Sequence, residues 1–134
     1  MTSSAPGPLV LIVDDNERNL KLASDVLQAA GFRTLAAVDG AGALALAEEE
    51  IPDVVLLDLR LPDLDGGDVA RALAGGARTR DIPVVALSAL PDTGERASCF
   101  AGYLEKPIDV AAFPGQVRAY CRDASTPPTR RRPG

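Results

Sequence analysis

The chain has 134 residues, is 46% hydrophobic and carries a formal charge of -5. That length suits one domain with a real core, and the acidic balance disfavours a nucleic-acid binder, which is built on clustered Lys and Arg. Histidine is absent, which removes Ser-His-Asp and Cys-His catalysis, His-ligated zinc and any phosphohistidine formed on the chain itself.

Residues 1–8 are Ser-, Pro- and Gly-rich and read as a flexible leader. Leu9 to Val13 is an unbroken apolar run, the pattern of a strand covered on both faces. Asn16 is a candidate cap for a helix in which Leu20, Ala23, Leu27 and Ala30 recur at helical spacing until Gly31. Phe32 to Val38 reads as a second, weaker strand. Asp39 is placed to cap the next helix, which runs to Glu50 before Pro52 stops it. Val54 to Leu57 is another apolar strand, followed by a loop through Pro62, Asp63, Asp65, Gly66 and Gly67 and then a helix through Val69, Ala70 and Leu73. Ile82 to Leu87 repeats the buried-strand pattern. After Ser88 only about two helical turns fit before Gly102, so the fourth helix is expected to be short. Tyr103 to Glu105 is a small fifth strand. A final helix from about Asp109 to Tyr120 contains Pro114, which is tolerable only if that helix starts late.

Residues 9–121 therefore form one domain, and the Pro/Arg-rich stretch 122–134, with Arg130, Arg131 and Arg132, reads as a disordered tail. Cys99 and Cys121 are too few for a metal cluster or disulfide framework and read as free thiols in a reducing compartment. No stretch approaches the roughly 20 apolar residues needed to cross a bilayer, and the leader lacks a signal-peptide pattern. A cytoplasmic protein without membrane or nucleic-acid partners is expected.

Strands alternating with helices imply right-handed crossovers and a parallel sheet with helices on both faces, an α/β fold. In such folds ligands collect beyond the carboxyl ends of the strands. Asp14 and Asp15 follow the first strand, Asp58 the third, Ser88 the fourth and Lys106 the fifth. Three carboxylates within about 4 Å repel by a few kcal/mol per pair at an effective dielectric near 20. A divalent cation with hard oxygen ligands, of which Mg²⁺ is the natural choice, relieves that repulsion. A carboxylate beside Mg²⁺ and a lysine is also a competent nucleophile toward phosphorus. Asp58, ending a buried strand, is the best acceptor; Asp14 and Asp15 are better placed to hold metal, and Ser88 and Lys106 to contact phosphoryl oxygens. Taken singly, an Asp-Asp pair after a strand is more often turn or cap chemistry, and Tyr103 a half-buried packing aromatic. The coincidence of four such strand ends carries the functional reading.

Leu11-Ile12-Val13-Asp14-Asp15-Asn16, the stretch from Val54 to Gly66 (VVLLDLRLPDLDG), Val84 to Ala89 (VVALSA) and Tyr103-Leu104-Glu105-Lys106-Pro107 resemble the receiver domain of two-component response regulators, over Val10 to about Tyr120. The resemblance implies a flavodoxin-like, doubly wound five-stranded parallel sheet in order 2-1-3-4-5 with five helices. It implies that Asp58 takes a phosphoryl group from a phosphohistidine on a sensor histidine kinase or histidine phosphotransfer protein. It implies too that Asp15, Asp58 and the Arg60 carbonyl ligate Mg²⁺, with Asp14 acting largely through water. Ser88 takes the place of the switch Ser/Thr, Tyr103 that of the switch aromatic, and the Lys106-Pro107 bond is expected to be cis. Phosphorylation then changes a surface read by an unidentified downstream protein. The protein is expected to be a monomer or weak dimer, with no output domain and no catalysis beyond its own phosphorylation and dephosphorylation.

The 18 positions from Ser88 to Lys106 are about one helical turn fewer than the family usually shows, which bears on output geometry rather than phosphorylation chemistry. A phosphorylation-independent pseudo-receiver acting as an interaction module is the alternative. A phosphohydrolase of the haloacid dehalogenase type needs a second Asp two residues after the nucleophile, where this chain has Arg60.

Overall fold

The structure is a computed structural model describing residues 7–59, 61–63, 66–88, 100–106 and 108–121. Its elements run β1 (Leu9–Val13), α1 (Glu17–Ala29), β2 (Arg33–Ala37), α2 (Gly40–Glu50), β3 (Val54–Asp58), α3 (Gly66–Gly75), β4 (Val84–Ser88), β5 (Gly102–Glu105) and α4 (Phe113–Tyr120). All strand pairs are parallel and the order is β2-β1-β3-β4-β5, as expected. The expected short fourth helix, most of the leader, Cys99, Arg60, Pro107 and the tail lie outside the described residues, so the last helix is labelled α4.

Successive side chains in a strand face opposite sides of the sheet, so each unbroken apolar strand feeds two cores at once. Leu11, Val13, Val55, Leu57, Val84 and Ala86 pack on the face that α2 and α3 cover with Ala43, Ala47, Val69 and Leu73. Val10, Ile12, Val54, Leu56, Val85 and Leu87 pack on the other, against Leu20 and Leu27 of α1 and Phe113 and Val117 of α4. All five residues of β3 are buried. Each fully buried Val or Leu contributes about 1.5–3 kcal/mol of transfer free energy, which holds β3 and the Asp58 at its end as a fixed scaffold.

Side chains set the helix boundaries. Asn16 accepts from the N–H groups of Arg18 and Asn19, and Asp39 from that of Gly42, both as the sequence suggests. At the end of α1 the N–H of Phe32 reaches the Leu27 carbonyl and that of Gly31 the Gln28 carbonyl. This is a Schellman ending, with Gly31 at a φ of 98° that disfavours a Cβ. Phe32 is used in this ending, so β2 spans 33–37 rather than 32–38. The end of α2 is different: Ile51 adopts a left-handed φ of 47° before Pro52, a conformation that costs a β-branched residue about 1–2 kcal/mol.

Other boundaries also depart from expectation. β4 begins at Val84, because Pro83 has no N–H to give a ladder, although its carbonyl accepts from Val55. Gly66 and Gly67 open α3 instead of closing the preceding loop. The last helix starts at Phe113, and Asp109 caps a preceding turn through Ala111 and Ala112.

Candidate functional site

Parallel pairing puts every carboxyl end on one rim of the sheet. Val13 pairs with Leu57, so Asp14 stands level with Asp58 one step beyond. Asp58 pairs with Leu87 and Ser88 with Glu105, the residue before Lys106. The residues named from sequence thus lie side by side across β1, β3, β4 and β5. The side chain of Ser88, the Arg60 carbonyl and the bond to Pro107 lie outside the described residues.

One carboxylate oxygen from each of Asp14, Asp15 and Asp58 lies within 4.8 Å of the others. Asp14 is 1% and Asp58 7% exposed, whereas Asp15 faces solvent. The Lys106 ammonium stands 3.3 Å from Asp14 Oδ2 and 3.4 Å from Asp58 Oδ2, bridging the two buried acids. Asp14 Oδ1 accepts from the Asn16 N–H at 2.9 Å, and the Asp14 N–H donates to the Ala37 carbonyl at 3.1 Å. Asp14 is therefore held from both its side chain and its backbone. Among the described residues the Lys106 ammonium offsets only part of the charge of the three carboxylates, so the pocket favours a further cation. The 4.8 Å spread is comparable to the roughly 4 Å between opposite ligands of an octahedral Mg²⁺, and the donors are hard oxygens; the residues present fit that ion.

Tyr103 packs against the α2/α3 core with its ring 5.5 Å from that of Phe100, tilted by 50°. The packing role read from the sequence is what its surroundings provide. Between α1 and the segment after β5, a cavity of about 50 Å³ borders Asp14, lined also by Asn19, Leu22, Ile108 and Lys106.

Two residues near the cluster were not singled out from sequence. A Cβ on Gly66 would come within 2.8 Å of Leu59 Cα and 3.1 Å of the Asp58 carbonyl, so α3 can approach the end of β3 only where the side chain is absent. Asp63, read as an ordinary loop residue, accepts from two N–H groups of α2. Such a contact leaves no local pattern, whereas the DG pair at Asp65-Gly66 is a visible turn signal whose tertiary use is not.

The profile of the family described as response regulator receiver domain matches residues 10–118. The polar-differentiation response regulator DivK of Brucella ovis is 38% identical over 119 residues, covering 86% of this chain and 97% of its own. Among solved structures, the receiver domain of sensor histidine kinase PA1611 from Pseudomonas aeruginosa, with a magnesium ion coordinated in its active-site cleft, is 31% identical at a TM-score of 0.77, covering 85% of this chain and 97% of that one. Chemotaxis response regulator CheY4 of Vibrio cholerae shares the fold at a TM-score of 0.80 and 24% identity, covering 85% and 98%.

The chain belongs to the response regulator receiver domain family. It has a phosphoacceptor role in two-component signalling. Receivers of this family bind Mg²⁺ at their acidic site and work with histidine kinases or phosphotransfer proteins. Among the described residues, no helix is long and apolar enough to cross a membrane.

Proposed function

We propose that Asp58 is the phosphoacceptor, that Asp15, Asp58 and the Arg60 carbonyl hold Mg²⁺, and that Asp14 acts on the ion largely through water. The observation that carries this reading is the Lys106 ammonium placed between Asp14 and Asp58 at 3.3 and 3.4 Å. It sits beside a nucleophile whose position a buried strand fixes. Asp14 already accepts from Asn16 and Lys106, which suits it to an outer role and leaves the exposed Asp15 for direct ligation.

In this reading an Asp58 carboxylate oxygen attacks the phosphorus of an N-phosphohistidine on the donor protein. The P–O bond forms as the P–N bond breaks, and the electron pair leaves on the imidazole nitrogen. Held by Asp15, Asp58 and the Arg60 carbonyl, Mg²⁺ would supply positive charge to the phosphoryl oxygens. Lys106 draws one of those oxygens, exchanging contact with Asp58 for contact with the phosphoryl group. Ser88, at the end of β4, donates to another, and Tyr103 responds by moving inward. The change in exposed surface is read by a downstream protein in the cytoplasm. Leu22, 44% exposed beside the cavity, gives the donor protein an apolar contact next to the acids.

The test is labelling with a small phosphodonor such as acetyl phosphate and Mg²⁺. Wild type is expected to acquire one hydroxylamine-labile phosphoryl group and Asp58→Asn none. Retained stoichiometric labelling in Asp58→Asn overturns the assignment. Equal binding of a downstream partner to treated wild type, untreated wild type and Asp58→Asn points instead to a phosphorylation-independent interaction module.

A further inference from the structure

Behind the acids, a second set of contacts ties the two halves of the cluster together. The Asp14 N–H is bonded to the Ala37 carbonyl at the end of β2. The chain then turns through Val38 into Asp39, whose side chain caps α2 at Gly42 at 2.8 Å. The two N–H groups that open α2, those of Gly40 and Ala41, donate to Asp63 Oδ1 at 2.7 Å and Oδ2 at 3.1 Å. Asp63 lies on the loop that leaves Asp58, five positions further on. The start of α2 therefore connects, on one side, to the corner carrying Asp14 and Asp15 and, on the other, to the loop that follows Asp58.

Both carboxylate oxygens of Asp63 are engaged at once, which restrains its orientation as well as its distance. A carboxylate at a helix N-terminus is also attracted by the partial positive charge there. The Asp39 side chain caps one N–H of the α2 start, that of Gly42, and Asp63 takes two more, so its contact both caps the helix and holds the loop against it. Its separate consequence is to fix the loop after Asp58.

We propose that Asp63 is a positioning residue for phosphoryl transfer. Held on the first two N–H groups of α2, it sets the spacing between the loop after Asp58 and the Asp14–Asp15 corner. This rests on the reading of Asp58 and its neighbours as the Mg²⁺ and phosphoryl site. In this reading Asp63 acts through the loop, in the way that outer partners orient metal ligands.

Asp53 supplies a control, since its carboxylate also accepts from a backbone N–H, that of Leu9 at 2.8 Å, but at the opposite rim. Mg²⁺ affinity by calorimetry and initial labelling rate with acetyl phosphate are measured on wild type, Asp63→Ala, Asp63→Asn and Asp53→Ala. Asp63→Ala is expected to weaken Mg²⁺ binding roughly 10-fold and to slow labelling, while Asp53→Ala lowers the unfolding midpoint and leaves both readouts unchanged. Asp63→Asn keeps an acceptor for Gly40 and is expected to fall between wild type and Asp63→Ala; it gives the comparison with wild type if Asp63→Ala does not fold. Wild-type affinity and rate in both Asp63 variants overturn the inference, as does an equal loss in Asp53→Ala. A wild type that binds no Mg²⁺ and takes no label at Asp58 removes the site reading and this inference with it. A normal wild type with unaltered Asp63 variants removes the inference alone.

Discussion

The two rims of the sheet use the same residue type to opposite effect. At the amino rim, Asp53 Oδ2 accepts from the Leu9 N–H while the Asp53 N–H donates to the Leu9 carbonyl, both at 2.8 Å. This reciprocal pair locks the starts of β1 and β3 together. At the carboxyl rim of the same two strands, Asp14 and Asp58 stand level with each other and with Asp15 nearby, and their shared contact is the Lys106 ammonium. A carboxylate that meets an N–H stabilises; one that meets other carboxylates costs stability and creates an attraction for cations. The chain therefore places its electrostatic cost at the proposed phosphoryl site, and the buried apolar strands between the rims offset it.

Removing the ammonium tests this contrast most severely. Lys106→Met leaves Asp14 and Asp58 buried without that counter-charge. Breaking a buried pair costs about 3–5 kcal/mol. The Lys106 side chain is 22% exposed, so a metal-free loss of about 2–3 kcal/mol is expected by urea denaturation. Saturating Mg²⁺ should restore part of it by binding the folded state, and phosphoryl labelling should slow. An unchanged midpoint in metal-free buffer would mean that the rim is not under electrostatic strain.

Asp58→Asn acts in the opposite direction. Deleting one of three crowded charges removes repulsion of a few kcal/mol per pair but also gives up the Lys106 contact to Asp58 at 3.4 Å, so a net rise in metal-free stability of about 1–2 kcal/mol is expected. Mg²⁺ should narrow the difference, because wild type gains more from the ion. A destabilised Asp58→Asn in metal-free buffer would show that the hydrogen-bonding role of that carboxylate outweighs its repulsion.

Much of this arrangement is legible in the sequence because it depends on local pattern. Three apolar runs ending in polar residues, at β1, β3 and β4, with weaker runs at β2 and β5, mark a parallel sheet, and parallel strands bring their ends to one rim without any knowledge of side-chain packing. The Asn16 and Asp39 caps follow equally local rules. What escapes is tertiary. Gly66 and Gly67 suggest a loop by propensity, yet they open α3 because its first turn lies against the end of β3, where a Cβ at position 66 does not fit. Asp63 reaches α2 across 22 and 23 positions, which no periodicity encodes. Asp109 caps a turn rather than the last helix; a helix beginning there would bring the Pro114 ring against the Val110 carbonyl four residues earlier. Starting at Phe113 moves that proline into the first turn, where it is tolerated.

The smallest expected effect falls at the quiet rim. Asp53→Ala removes an acceptor from the Leu9 N–H, which is part-buried and regains some hydration when the carboxylate is lost. The backbone half of the pair, Asp53 N–H to Leu9 carbonyl, survives the substitution, so the strands stay in register. A hydrogen bond to a charged group contributes about 1.5–3 kcal/mol when fully effective; with partial hydration and a surviving partner, a loss of about 1 kcal/mol is expected. Because the distortion is confined to the starts of β1 and β3, Mg²⁺ affinity and labelling should not change. A drop in either would mean that strain at the amino rim travels the length of the buried strands to Asp14 and Asp58. The two rims would then act as one coupled unit rather than as separate regions with separate duties.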